Sequence, residues 1–197
     1  MATVGEADIH HGPLAVMLWR RLDSPGHEFA RLEKSAAGPR LSGTAAFLHS
    51  QEPCHLSYVI DCDPQWKTRA ASVRGHIGLR SVEMEIVVRP NGDWLMSDSV
   101  VPNVAGCIDL DLNFSPSTNL LPIRRANLAV GASATVRAAW LRFPDLKLEP
   151  LDQIYTRTSD SNYRYQSDNG RFLVDLTVNE HGFVVAYPGF WQAETGS

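Results

Sequence analysis

Hydrophobic residues recur at every second position along most of the chain. In "RFLVDLTVN", Phe172, Val174, Leu176 and Val178 alternate with Leu173, Asp175, Thr177 and Asn179, as in a strand with one apolar face and one mostly polar face. "SVEMEIVVR" sets Val82, Met84, Ile86 and Val88 against Glu83, Glu85 and Val87. "TVRAAWLRF" sets Val136, Ala138, Trp140 and Arg142 against Arg137, Ala139, Leu141 and Phe143. Asn91-Gly92 and Asn169-Gly170 predict two-residue type I′ hairpin turns, because these residues tolerate positive φ. Gly182 separates two further strand signals, so a meander is expected over about 161–168, 171–179 and 183–187.

Weaker alternation predicts strands over 14–22, 27–34, 40–49, 54–62 and 66–80, with Gly43, Gly75 and Gly78 marking bulges or bends. Turn signals every ~10–12 residues fit a sandwich, barrel or roll. The polar ends, 1–12 and 193–197, are expected to be loose. No repeat, low-complexity tract or linker interrupts the pattern. The expectation is a single all-β, mainly antiparallel domain over 1–197 with its core at about 13–192.

One stretch breaks the period. In "GCIDLDLNFSPSTNLLPIRR", residues 106–125, Thr118 or Asn119 can cap a short helix over about 119–127. Pro122 would fall in its first turn, where a missing N–H costs little. Leu120, Leu121 and Ile123 form the apolar face, and Arg124 and Arg125 sit toward the negative end of the helix dipole.

Charge and cysteine content narrow the function classes. The 197 residues carry a net charge of −4, and Arg20-Arg21 and Arg124-Arg125 are isolated pairs, so no nucleic-acid partner is expected. Cys54, Cys62 and Cys107 lack CxxC spacing and read as small packing residues in a reducing compartment. Cys54 and Cys62 share a strand face but stand too far apart to bond. The N-terminus lacks a signal-peptide pattern and no run is long enough to span a bilayer, which together predict a cytoplasmic protein.

The same 106–125 stretch holds the candidate chemistry. Asp109, Asp111 and Asn113 mimic the start of a calcium loop, but Phe114 stands where its glycine belongs and Leu120 where its glutamate belongs. The alternation Ile108/Leu110/Leu112 reads instead as a strand, with both aspartates on its polar face. Carboxylates at i,i+2 could serve as an acid/base pair, or could bond Arg124 and Arg125. The seven histidines show no zinc spacing, with His10-His11 in the tail, and no metal or cofactor is implied. The dispersed tryptophans and the C-terminal tyrosines Tyr155, Tyr163, Tyr165 and Tyr187 suit core packing or the wall of a cavity for lipid tails or sugar rings.

Several segments together resemble the Putative glycolipid-binding family, long catalogued as a bacterial domain of unknown function. They are "LSYVIDCDPQWKTR" (56–69), the 106–125 stretch with its distinctive "TNLLPIRR", "FPDLKLEPLDQIYTR" (143–157), "YRYQS" (163–167) and "YPGFW" (187–191). Asn179 stands where the family's pattern suggests Asp. The resemblance implies a spiral β-roll of about fifteen strands wrapped around one helix, a homodimer, and a non-catalytic binding protein for a glycolipid or fatty-acyl ligand. Candidate ligand-binding residues are Trp66, Asp109, Asp111, Asn119, Arg124, Arg125, Arg137, Trp140, Tyr155, Arg157 and Tyr165. Two alternatives stand beside it: an enzyme on a small glycosyl or acyl substrate using Asp109 and Asp111, and a structural dimeric module.

Overall fold

A computed structural model describes residues 13–196, with side chains placed through 194. Fifteen strands form one sheet, in which β1 (Pro13–Arg21) to β8 (Ser99–Val100) run consecutively side by side. The intervening strands are β2 (Gly26–Ser35), β3 (Gly38–His49), β4 (Glu52–Cys62), β5 (Thr68–Ile77), β6 (Arg80–Val88) and β7 (Trp94–Met96). On the other flank of β1 lies β15 (Trp191–Gly196). Beyond it follow β14 (Val184–Tyr187), β13 (Phe172–Val178), β12 (Asn162–Ser167), β11 (Lys147–Arg157), β10 (Ser133–Arg142) and β9 (Asp109–Leu112). All neighbours are antiparallel except β9 and β10. β8 and β9 do not pair, so the curled sheet is not closed.

Alternation drives the curl. In β4, Cys54, Leu56, Tyr58, Ile60 and Cys62 are all buried and line the concave side with the inward residues of β1 to β3. Register shifts at Leu18/Trp19, Asp61/Cys62 and Thr177/Val178 mark bulges, which bend a strand and increase its twist. Gly43 pairs with Tyr58 across β3 and β4; a Cβ there would collide with the phenol ring and with the Phe29 carbonyl. The glycine is what lets the ring lie flat across its neighbour. The three cysteines are buried and unpaired, as their spacing predicts, and burial pushes the Cys62 thiol up to about 12.

Several local expectations change. The 66–80 strand is β5, which begins after a turn at Trp66 and ends at a hairpin, with Gly78 in the left-handed region at φ +56°. Neither Asn-Gly pair makes a two-residue turn. Arg89 N–H still donates to the Asp93 carbonyl at 2.8 Å and Gly92 N–H to the Arg89 carbonyl at 2.9 Å, so Pro90, which has no N–H to offer, Asn91 and Gly92 make a three-residue turn. After Ser167, Asp168 also turns left-handed, which stretches the loop to residues 168–171. The expectation of a loose end at 193–197 fails over 193–196, because β15 joins β1 to β14 in the middle of the sheet, while 197 lies outside the described residues. The tail expected at 1–12, with His10-His11, lies outside the described residues.

The helix α1 (Leu120–Ala126) fills the hollow, with Leu120, Leu121, Pro122 and Ile123 all buried. A 3₁₀ turn at Ser117–Asn119 precedes it, so neither Thr118 nor Asn119 acts as a side-chain cap. The chain has already entered helical conformation there, and both side chains bond elsewhere. Leu112 N–H donates to Thr118 Oγ1, and Asn119 Nδ2 donates to the Pro116 carbonyl. Asn127 closes the helix in the left-handed region, its N–H on the Ile123 carbonyl.

One polar cluster fastens this insert to the sheet. Glu28 of β2 is buried, and its Oε1 accepts from Tyr58 Oη at 2.7 Å and from Ser115 Oγ at 2.5 Å. Ser117 Oγ lies 2.6 Å from Tyr58 Oη and 2.7 Å from Ser115 Oγ. Glu28 Oε2 is buried with no partner among the described residues. Burial pushes the Glu28 carboxyl up to about 8, against the pull of its hydroxyl donors and of Arg21. Between an unfolded value near 4.5 and about 8, the folded state keeps a proton that the unfolded chain releases. Stability therefore falls as pH rises through that window. Glu28→Gln is expected to flatten this slope and to be more stable than the parent by about 2–4 kcal/mol at pH 8, read from urea unfolding across pH 4–9.

Candidate functional site

A cleft of about 480 Å³ opens inside the roll, between the strands β9 to β15 and the segment that leads into α1. That volume is in the range of small-molecule sites. Its polar floor comes from Asp111, Asn113, Ser115 and Asn119. Trp140 stands directly beside Asp111, because the parallel β9–β10 ladder pairs the two residues. The opposite wall is aromatic: Tyr165, Phe172, Tyr187, Phe190 and Trp191. Tyr165 and Phe172 meet edge to face at 5.9 Å, Phe172 and Phe190 at 5.7 Å, and Tyr187 and Phe190 at 5.2 Å. Each such pair contributes roughly 0.5–1.5 kcal/mol beyond its buried area, which makes the wall rigid.

Asp111 is the chemically distinct group. Gln153 Nε2 donates to its Oδ2 at 2.6 Å, while Oδ1 has no hydrogen-bond donor among the described residues. Burial pushes its carboxyl up to about 6; the Gln153 bond opposes this shift and the neighbouring Asp109 charge adds to it. The Tyr165 and Tyr187 hydroxyls are held in the neutral form, chiefly by burial. Asn119 is oriented from behind, since Tyr155 Oη donates to its Oδ1 at 2.8 Å. The back wall touches the Glu28 cluster through Ser115.

The structure separates the eleven candidate residues into two groups. Asp111, Asn119, Trp140 and Tyr165 line the cleft, and Tyr155 supports it through Asn119 and through Tyr165, 5.0 Å away. The other six stand outside the lining. Arg125 grips Asp109 with Nε at 3.0 Å and Nη2 at 2.5 Å, so the expected aspartate–arginine bond forms with Asp109 and leaves Asp111 free for the cleft. Arg124 lies over Trp66, 5.3 Å from the ring centre. Arg137 makes an exposed pair with Asp152 at 3.7 Å. Arg157 donates to the carbonyls of Leu128, Ser159 and Asp160 and so braces a turn.

Phe172, Phe190 and Ser115 were not among the candidates, and Tyr187 and Trp191 were read only as aromatics suited to core packing or a cavity wall. "YPGFW" carries three of them in five positions, a density of rings beside a turn glycine that points to a rim. Ser115 gave no such signal, because its role depends on Glu28, 87 residues away. Asn179, where the resemblance led us to expect Asp, holds a turn by accepting from His181 N–H and Phe183 N–H. Among the described residues no group of three metal-ligating side chains occurs, and no helix is long and apolar enough to cross a membrane.

Asp109 is nearly fully buried, and burial raises its carboxyl against the opposing Arg125 bond. Removing one partner of such a pair leaves an uncompensated charge. Arg125→Ala is expected to lower stability by about 3 kcal/mol, and adding Asp109→Asn should recover part of that loss in chemical denaturation.

The whole cleft falls within the span of a known family. The model described as Putative glycolipid-binding matches residues 16–193. Among solved structures, a DUF1089-family protein from Pseudomonas aeruginosa is similar at 27% identity with a TM-score of 0.73, over 98% of this chain and 99% of that one. No curated protein matches the chain. With most of its length matched, the chain belongs to the Putative glycolipid-binding family.

Proposed function

We propose that the protein binds an amphipathic ligand of the glycolipid class in this cleft, without transforming it. The observation that carries the reading is Asp111, a carboxylate with one unengaged oxygen set beside Trp140 and facing an aromatic wall. Rings stack on the apolar C–H faces of sugars and pack against acyl chains, while a few fixed polar atoms set orientation. Asp109 supplies no acid/base partner to the cleft, since Arg125 engages both of its oxygens. The reading includes a cytoplasmic homodimer, for which Leu14, Val16 and Phe29, exposed on the convex face of β1 and β2, offer an apolar patch.

Protein purified without detergent is expected to carry, or to take up, one glycolipid per chain in native mass spectrometry. Ligand should raise the thermal midpoint, and Trp140→Ala should abolish both effects. A chain with neither adduct nor thermal shift would sink the reading. Ligand hydroxyls donate to ionised Asp111, so affinity should drop as pH falls through about 6, and Asp111→Asn should remove that dependence.

A further inference from the structure

We infer that the head group held in the cleft is uncharged and rich in hydroxyls, and that anionic head groups are excluded. This rests on the proposed function and specifies its ligand. The inference starts from the charges around the cavity. Asp111 and Asp168 line the cleft, and among the described residues no arginine, lysine or histidine does so. The arginines that could meet a phosphate, sulfate or carboxylate are committed elsewhere: Arg125 to Asp109, Arg124 to the face of Trp66, and Arg157 to three carbonyls. A cation does stand near the rim. Arg171 comes within 3.8 Å of Asp168, but both side chains are well exposed, where such a pair contributes little field.

An anion beside Asp111 would therefore meet like charge in a partly desolvated site, at a cost of at least about tenfold in affinity. A tetraalkylammonium head would gain from the Asp111 charge and the rings but would leave the hydrogen-bonding groups of the floor unpaired. With Ser115 and Asn119 Oδ1 already bonded within the protein, Asp111 Oδ1 as acceptor and the Asn113 amide N–H groups as donors are what remain for a ligand, a mixed set that a hydroxylated ring can satisfy and an ammonium without N–H cannot. Trp140 and Tyr165 supply flat faces for the ring's C–H side. Phe172, Tyr187 and Phe190 continue the apolar wall toward the opening, where Phe190 is 38% exposed, as a place for the chain.

The test compares three probes that share one tail: octyl β-glucoside, octyl sulfate and octyl trimethylammonium. Each is titrated below its critical micelle concentration, with tryptophan fluorescence and calorimetry as readouts. The glucoside is expected to bind at least tenfold more tightly than the sulfate. Asp111→Asn should weaken the glucoside and narrow the gap to the sulfate to under threefold, with the thermal midpoint within a few degrees of the parent. Sulfate binding as tight as glucoside, or trimethylammonium binding tenfold tighter, would overturn the head-group assignment and leave amphiphile binding standing. Failure of all three probes would overturn both.

Discussion

The insert that fills the concave side is fastened through a buried carboxyl group that no cation bonds. Glu28 reaches from β2 to Tyr58 on β4 and to Ser115 on the segment entering α1, and Ser117 joins them through Tyr58 and Ser115. Three pieces of chain far apart in sequence are thereby held within hydrogen-bond distance. The cluster includes no cation, so its members share neutral protons, and burial stabilises the protonated acid. Hydrogen bonds of this kind each contribute about 1 kcal/mol net, yet leaving one member unpaired in the interior costs more. The cluster therefore acts more as a constraint on arrangement than as a source of stability. It fixes where the 113–119 segment can lie, and that segment forms one side of the cleft.

The division of charge follows from the same geometry. β9 presents its two aspartates two residues apart on one face, yet their environments diverge. Asp109 meets the last turn of α1 and is neutralised by Arg125; Asp111 lies one pleat further along, past the reach of the helix, and faces Gln153 and open space. A single strand thus supplies both a structural ion pair and a free acceptor. The cation that would otherwise colour the cleft is consumed in holding the helix down.

Much of the architecture was legible from period-two alternation, because a face buried against a core must repeat every second residue. Strands β1 to β6 and the meander β12 to β14 follow that rule, and their predicted bounds lie close to the observed ones. β15 escaped because its outward residues, Gln192 and Glu194, made a strand read as a polar end. The short β7 and β8 have too few residues to show a period. The helix was legible from Pro122 and the Leu120/Leu121/Ile123 stripe, while its 3₁₀ entry was not, since that depends on partners in β9. For the site, Asp111, Asn119, Trp140 and Tyr165 were found through the 106–125 stretch and the aromatics. The arginines misled because residue type alone does not reveal whether a guanidinium is already occupied. Glu28 was invisible: it sits on the inward side of a strand whose other inward residues, Ala30 and Leu32, are ordinary core.

The place of β15 has a kinetic meaning. Strands β1 to β8 form a chain of hairpins whose partners are close in sequence, and β10 to β15 form a second, with β9 added in parallel beyond the helix. The two groups meet at one seam, where Met17 pairs with Gly196 and Arg21 with Trp191. Closing that seam joins residues some 170–179 positions apart, as the pairs themselves show, and ordering so long a loop must precede the contacts that reward it. The cleft draws its lining from the second group, but Trp191 belongs to the seam and Ser115 is anchored across it by Glu28. The cleft is therefore complete only where the two groups meet at the seam.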